Sequence, residues 1–435
     1  MSASSFAWYL PAMIDFKQIL IARFIAALLA VTLIFNVIPT YAATFKAGRG
    51  ISMDQWVTWP NESRWNDDDV LTNFPEWQQF VSDDALKTLR SDGLSTIRMP
   101  IDPAIFLHDE DQNRRETLLK NMHRAIDRIL NADLNVIVDL HTIAYSADRQ
   151  VIGLDQILND DLNFVKYKAL IASIAKSLSD YDAEKVALEI INEPKYDCGA
   201  SDEMKIWQAQ ATQLHDAARK ANDTITLVVP GACYASAQGL INLDPKAFGD
   251  KNIIWTFHSY DPFILTHQSA DWVGRPVSAF INLPYPPSQL SSPAIRTLPD
   301  DNDRYIDRTL SGNERSNAGW YIRNELEEWG SGEDLVELLE EPFEKVAKWA
   351  ARHDIAPDEI FLGEFGFIAQ EYGKDFKIPS EWRIAYLKDM IALADKYQFG
   401  WSMWSFGGAF GMVQTFGGQT MPGDLIKELD LPKNN

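Results

Sequence analysis

The stretch Val186-Ala187-Leu188-Glu189-Ile190-Ile191-Asn192-Glu193-Pro194 sets the reading of the whole chain. It is a short apolar run, rich in branched side chains, that ends abruptly in polar residues. Such a run reads as a strand with its functional groups at the C-terminal end. Moving outward in both directions, the same unit recurs: a short branched run, a loop, then an amphipathic helix. The strands predicted are Lys46–Met53, Ser95–Ile101, Asn135–His141, Val186–Asn192, Thr226–Pro230, Asn252–His258, Ile360–Glu364 and Gly400–Trp404. Helical patterns lie between them at Asp84–Ser91, Asn113–Asn131, Asp161–Ser179, Asp202–Ala221, Leu338–His353 and Glu381–Tyr397. In the second of these, Leu118, Met122, Ala125, Ile126 and Ile129 share one face.

Strands alternating with helices imply a parallel sheet, and eight units close a barrel. The fold expected is therefore α/β, a (β/α)8 TIM barrel. One spacing is anomalous: 108 residues separate the starts at Asn252 and Ile360. The excess, about 263–330, reads as an insertion in the strand-six loop, folded over the face that carries the active site. No Gly/Ser or Pro/Thr linker divides residues 43–435, so they read as a single catalytic domain.

The formal net charge of −22 argues against nucleic acid, anionic membranes and anionic polysaccharides as partners. A neutral polysaccharide or oligosaccharide fits better. The 14 tryptophans, as many as the tyrosines, offer indole faces for stacking on sugars, although many must fill the core. At the N-terminus, Lys17 and Arg23 precede an apolar run from Phe24 to Ile38, and Thr40-Tyr41-Ala42 follows. That pattern reads residues 1–42 as a signal peptide, with an uncleaved N-terminal anchor as the alternative. Either way the body of the protein is expected to be exported, secreted or periplasmic. In an oxidising compartment Cys198 and Cys233, on the loops after two successive strands, are expected to pair. Neither cysteine has metal-ligand spacing, so no metal and no cofactor are expected.

In a (β/α)8 barrel the catalytic side chains stand at the C-terminal ends of strands. The polar and aromatic residues there are Arg98 on strand two, His141 on strand three, Asn192 and Glu193 on strand four, His258 and Tyr260 on strand six, Glu364 on strand seven and Trp404 on strand eight. A glutamate after an apolar strand is commonplace. Two of them across one mouth, ringed by Arg, His, Tyr and Trp, form a constellation.

The set INEP, GEFG, the strand-two Arg98, the strand-three His141, the His258-x-Tyr260 pair and Trp404 resembles glycoside hydrolase family 5, the cellulase-like family. The resemblance covers roughly residues 46–410. It implies a retaining mechanism with Glu193 as general acid/base and Glu364 as nucleophile, their carboxyl groups roughly 5–5.5 Å apart. Glu193 must start protonated, so burial and the nearby negative nucleophile should raise its pKa. Glu364 must stay ionised, with Arg98 and Tyr260 beside it. Asn192 would hold the sugar 2-hydroxyl, His141 and His258 would bind hydroxyls and orient the acid, and Trp404 would form the platform at the cleavage point.

The resemblance implies an endo-β-1,4-glucanase, with exo-β-1,3-glucanase and β-mannanase as alternatives on the same catalytic pair. A non-catalytic glycan-binding barrel would be expected to have lost one glutamate. A metal-dependent barrel hydrolase built on His141 and His258 would want an early His-x-His pair, which the chain lacks. Trp56, Trp59, Tyr145 and Trp272 are candidate distal sugar platforms, and a monomer is expected.

Overall fold

All eight branched runs become strands of one closed parallel barrel: β1 (Arg49–Ser52), β2 (Thr96–Ile101), β3 (Asn135–Leu140), β4 (Val186–Glu189), β5 (Thr226–Pro230), β6 (Ile253–His258), β7 (Ile360–Phe365) and β8 (Gly400–Met403). Each pairs with its sequence neighbour, and β8 closes on β1 with Arg49 beside Trp401. The computed structural model describes residues 43–54, 56–57, 81–108, 111–142, 153–287, 306, 310, 312–328, 332–413 and 425–434. The leader read at 1–42, and the candidate platforms Trp59 and Tyr145, lie outside them.

Parallel neighbours need a crossover, and helices supply it. The helices used below are α1 (Asp83–Ser91), α2 (Gln112–Asn131), α3 (Asp161–Ser177), α4 (Ser201–Ala221), α5 (Ala237–Ile241), α6 (Gly312–Glu328), α7 (Gly332–Arg352) and α8 (Ser380–Tyr397). Side-chain caps start the first three. Ser82, Asp111 and Asp160 accept from the amides of Ala85, Asn113 and Asn163, which satisfies donors that the helix leaves unpaired. The predicted apolar face of α2 is buried: Leu118, Met122, Ala125, Ile126 and Ile129. Each large apolar side chain buried this way stabilises by about 1.5–3 kcal/mol.

The barrel interior changes character along its axis. At the N-terminal end Phe45 plugs the bottom, packed with Ile137, Ala187, Val228, Ile254 and Phe361. Two residues further along the same strands come Asp139, Glu189, Thr256 and Gly363, which by strand alternation also face inward. Above them lies the mouth. β7 is irregular here: Phe257 pairs with Leu362 but His258 pairs with Glu364, so Gly363 is an extra residue. The bulge turns Glu364 inward, where strict alternation would point it outward. Gly363 has no room for a side chain, since a Cβ would lie 2.5 Å from Thr256 Oγ1 and 3.0 Å from His258 Nε2.

The chain after Tyr260 is folded where it is described. Leu265, Phe280, Leu283 and Tyr285 are buried, Phe280 bridges antiparallel to Ile306, and the Tyr285 hydroxyl donates to Asp389 of α8 at 2.7 Å. Ile368, just past β7, donates its amide to Thr266 at 2.9 Å. The insertion is thus fastened to the loop that follows Glu364. Among the described residues no helix is long and apolar enough to cross a membrane.

Candidate active site

The mouth is organised around one buried arginine. Arg98 Nη1 donates to Glu364 Oε1 at 2.7 Å, and Nη2 donates to Asn192 Oδ1 at 2.8 Å. Its other contacts run downward, Nε and Nη2 to the two oxygens of Glu189 at 2.8 and 3.1 Å, and Nη2 to Asp139 Oδ2 at 3.0 Å. Burial opposes the Arg98 charge, and Asp139, Glu189 and Glu364 around it more than offset that cost. Arg98 therefore serves both as a barrel-interior ion bridge and as a partner of Glu364.

Glu364 has each oxygen engaged by a different donor. Arg98 holds Oε1, and the Tyr260 hydroxyl donates to Oε2 at 2.8 Å. Both donors fix the orientation of the carboxyl group.

Glu193 is held differently. Its Oε1 lies 2.8 Å from His258 Nδ1. Burial pushes the His258 pKa down to about 4, so the ring is neutral near pH 7. His258 Nε2 is buried with no hydrogen-bond partner, which favours the tautomer with the proton on Nδ1, facing Glu193. Burial raises the Glu193 pKa. A neutral imidazole does not undo that shift as an imidazolium would. The Glu193 side chain is still 29% exposed, so a ligand can reach it.

The remaining residues link the two halves. Asn192 Nδ2 lies 3.3 Å from His141 Nε2, and His141 Nδ1 lies 2.9 Å from Asp139 Oδ2. Nδ1–H donates to the Asp139 carboxylate, which leaves Nε2 to accept from Asn192. The His141 ring stacks on Trp404, with centroids 5.3 Å apart. Ligand atoms of Glu193, His258 and Glu364 all lie within 4.8 Å of one another, so the facing carboxyl oxygens stand at that separation or closer. These three are the set that could hold a metal ion among the described residues. His141, the other half of the metal reading, is not among them.

The family described as Cellulase (glycosyl hydrolase family 5) matches residues 58–410. The chain belongs to glycosyl hydrolase family 5. Within it, the chain is 23% identical over 356 residues to Endoglucanase 3 of Fibrobacter succinogenes, covering 79% of this chain and 48% of that protein. It thus spans about half the length of that relative. It is 22% identical over 328 residues to Endoglucanase C of Acetivibrio thermocellus, covering 75% of this chain and 84% of that one. Among solved structures, Cel5A of Thermotoga maritima, in complex with mannotriose, superposes with a TM-score of 0.60 at 20% identity, over 88% of this chain and 97% of that one. An endoglucanase superposes equally well, at 0.60 and 19% identity, over 88% and 97%. Both share the barrel fold of this chain.

All eight residues read from the sequence of this family 5 chain, from Arg98 to Trp404, converge on the mouth. Cys198 and Cys233 form a disulfide with Cα atoms 5.8 Å apart. Among the distal aromatics, Trp272 is 52% exposed on the insertion. Trp56 corrects the reading: it is 2% exposed and lies under the Arg128 guanidinium at 5.1 Å, so it belongs to the core.

Three carboxylates escaped the sequence reading. Asp139 and Glu189 bind Arg98, and burial raises both, Asp139 to about 6. Asp54, just past β1, accepts from the Gly407 amide at 2.9 Å, and burial pushes it up to about 7. The signal for Asp139 was present, since it stands two residues before His141 on one strand and so shares its face. His267 was also missed. Its ring lies 4.9 Å from Tyr260 and 4.0 Å from Phe263, at the entry to an insertion whose sequence has no strand or helix period to place it.

Proposed function

We propose that this chain is a retaining endo-β-1,4-glucanase that cleaves by double displacement, with Glu364 as nucleophile and Glu193 as acid/base. The observation that carries the reading is the facing pair itself: two carboxyl groups with their facing oxygens within 4.8 Å, each group with its own partners. Glu364 would attack the anomeric carbon while Glu193 gives its proton to the departing glycosidic oxygen. Glu193, now a carboxylate, would then take a proton from the water that attacks the glycosyl-enzyme. Arg98 and Tyr260 orient the nucleophile. His258 orients the acid. Asn192, between Arg98 and His141, has one amide proton left for a sugar hydroxyl. Trp404, braced by His141, offers the platform.

The endo-β-1,4 assignment follows the family and the names of the relatives. A β-mannan is the second reading, since the similar Thermotoga maritima Cel5A has been solved with mannotriose as well as with cellobiose. Residues 1–42 fit a signal peptide, which would deliver the enzyme outside the cytoplasm.

Glu193→Ala tests the assignment of roles. On unactivated β-1,4-gluco-oligosaccharides kcat should fall by roughly 10²–10⁴-fold. On an aryl cellobioside whose leaving group needs no proton, glycosyl transfer to the enzyme should hardly slow. Equal loss of kcat/KM on both would contradict the acid role. Product analysis on cellulose, mannan and β-1,3-glucan panels separates the substrate readings.

A further inference from the structure

The loop after β5 holds three consecutive residues in the left-handed region: Cys233, Tyr234 and Ala235, with φ of 53, 58 and 55°. None is glycine, and side chains disfavour this conformation. Such a run persists only where the surroundings impose it. Here they do so from three sides. Cys233 is bonded to Cys198. The amides of Cys233 and Tyr234 donate to the carbonyls of Tyr196 and Pro194, each at 3.1 Å. Beneath the loop, α5 packs so closely that a Cβ on Gly231 would lie 2.2 Å from Leu240 N, and one on Gly239 would lie 2.0 Å from Ala232 O.

This loop brackets Glu193. Pro194 and Tyr196 are the first and third residues after it, and Glu193 itself is left-handed at φ 48°. On the other side Ser236 forms a parallel bridge with His258, the residue whose Nδ1 meets Glu193 Oε1. Lys195 reaches over the exposed Tyr234 ring at 5.9 Å. The backbone that carries the acid and the histidine that orients it therefore rest on the same strained turn, and the disulfide is its covalent fastening.

We propose that the Cys198–Cys233 disulfide positions the acid/base: oxidised, it keeps Glu193 and His258 in register, and its reduction selectively and reversibly slows the proton-dependent step. This rests on the assignment of Glu193 as acid/base. Reduction by an external dithiol breaks the Sγ–Sγ bond with two electrons and two protons, leaving two thiols and an oxidised reagent. The freed loop can relax from its left-handed run, and the Glu193–His258 hydrogen bond loses its support. The two cysteines act through Glu193 and touch no substrate.

The test uses the full chain oxidised, reduced with dithiothreitol until two thiols titrate, and reoxidised, each assayed below its own unfolding midpoint. Cys198→Ser/Cys233→Ser provides a second route to the unlinked state. We expect kcat/KM on an unactivated β-1,4-gluco-oligosaccharide to fall about ten- to a hundredfold, within the range that small misplacement of a catalytic group costs. On an activated aryl cellobioside kcat/KM, which reports glycosyl transfer to the enzyme and not the later base-assisted hydrolysis, should fall less than about twofold, and reoxidation should restore the oligosaccharide rate. Equal loss on both substrates, or no loss, overturns the proposal. Glu193→Ala in the same assay separates the two claims. Selective loss there without selective loss on reduction sinks only the disulfide role. Equal loss on both substrates in Glu193→Ala sinks the acid assignment itself.

Discussion

The lower and upper halves of the barrel interior are built by the same strands, often two residues apart, and are chemical opposites. Ile137, Ala187, Val228, Ile254 and Phe361 close around Phe45 in an apolar plug. Asp139 and Glu189, the next inward residues on β3 and β4, turn the layer above into an ion network around Arg98. The lower half is held by area removed from water. The upper half carries buried carboxylates that cost free energy unless Arg98 compensates them. A barrel can tolerate such an upper layer because its lower layer and helical shell supply the stability. The difference locates function, since the costly half holds every residue read as chemical.

Arg98→Met should break the contrast most severely. It strands Asp139, Glu189 and Glu364 without their shared cation, which should cost about 3–5 kcal/mol of stability. Activity should fall by at least ~10²-fold, because Glu364 and Asn192 lose a common donor. Chemical denaturation and kcat report the two losses separately. A stable, active Arg98→Met enzyme would mean that the upper layer does not depend on its cation.

Phe361→Ala probes the opposite half. Removing a fully buried ring from the plug should cost about 3–5 kcal/mol, yet kcat on the folded variant should stay within about twofold. A large fall in kcat with little loss of stability would erase the distinction between the halves.

Asp54→Asn sharpens the comparison at the rim. Burial lifts the Asp54 pKa from 3.8 to about 7. The folded state therefore binds the proton more tightly than the unfolded chain. Its contribution is fully present below about pH 4 and is lost as pH rises through 7. Asparagine keeps an acceptor for the Gly407 amide but cannot ionise. Wild type should lose stability between pH 4 and 7, and Asp54→Asn should lose less, by about 1 kcal/mol or more at pH 7. Denaturation midpoints across that range read the difference, and parallel profiles would contradict it.

How far the sequence could be read follows the same division. The strands were legible because parallel strands buried on both faces are continuous branched runs, and β1 to β8 fall inside or within a residue of the stretches read. Glu193 and Glu364 were legible because polar residues ending such runs stand out. The β7 bulge that aims Glu364 inward was not, since an extra residue in a ladder is a property of pairing, which one strand alone does not display. Asp139 and Glu189 were passed over as strand interior. Their partner Arg98 is 91 residues from Glu189, and only barrel closure brings them together. Trp56 read as a platform because it lies just after the C-terminal end of strand one, whereas in space it is buried beside Arg128 of α2.

The central claim is that Glu364 and Glu193 act in sequence through a glycosyl-enzyme. The most direct measurement follows the anomeric configuration of the first product by proton NMR, within minutes of mixing enzyme with a β-1,4-gluco-oligosaccharide and before mutarotation. The facing carboxyl oxygens, within 4.8 Å, leave too little room for a water between them and the sugar. The β-anomer should therefore appear first and the α-anomer only later. An initial burst of α-anomer would show direct displacement by water and contradict the account.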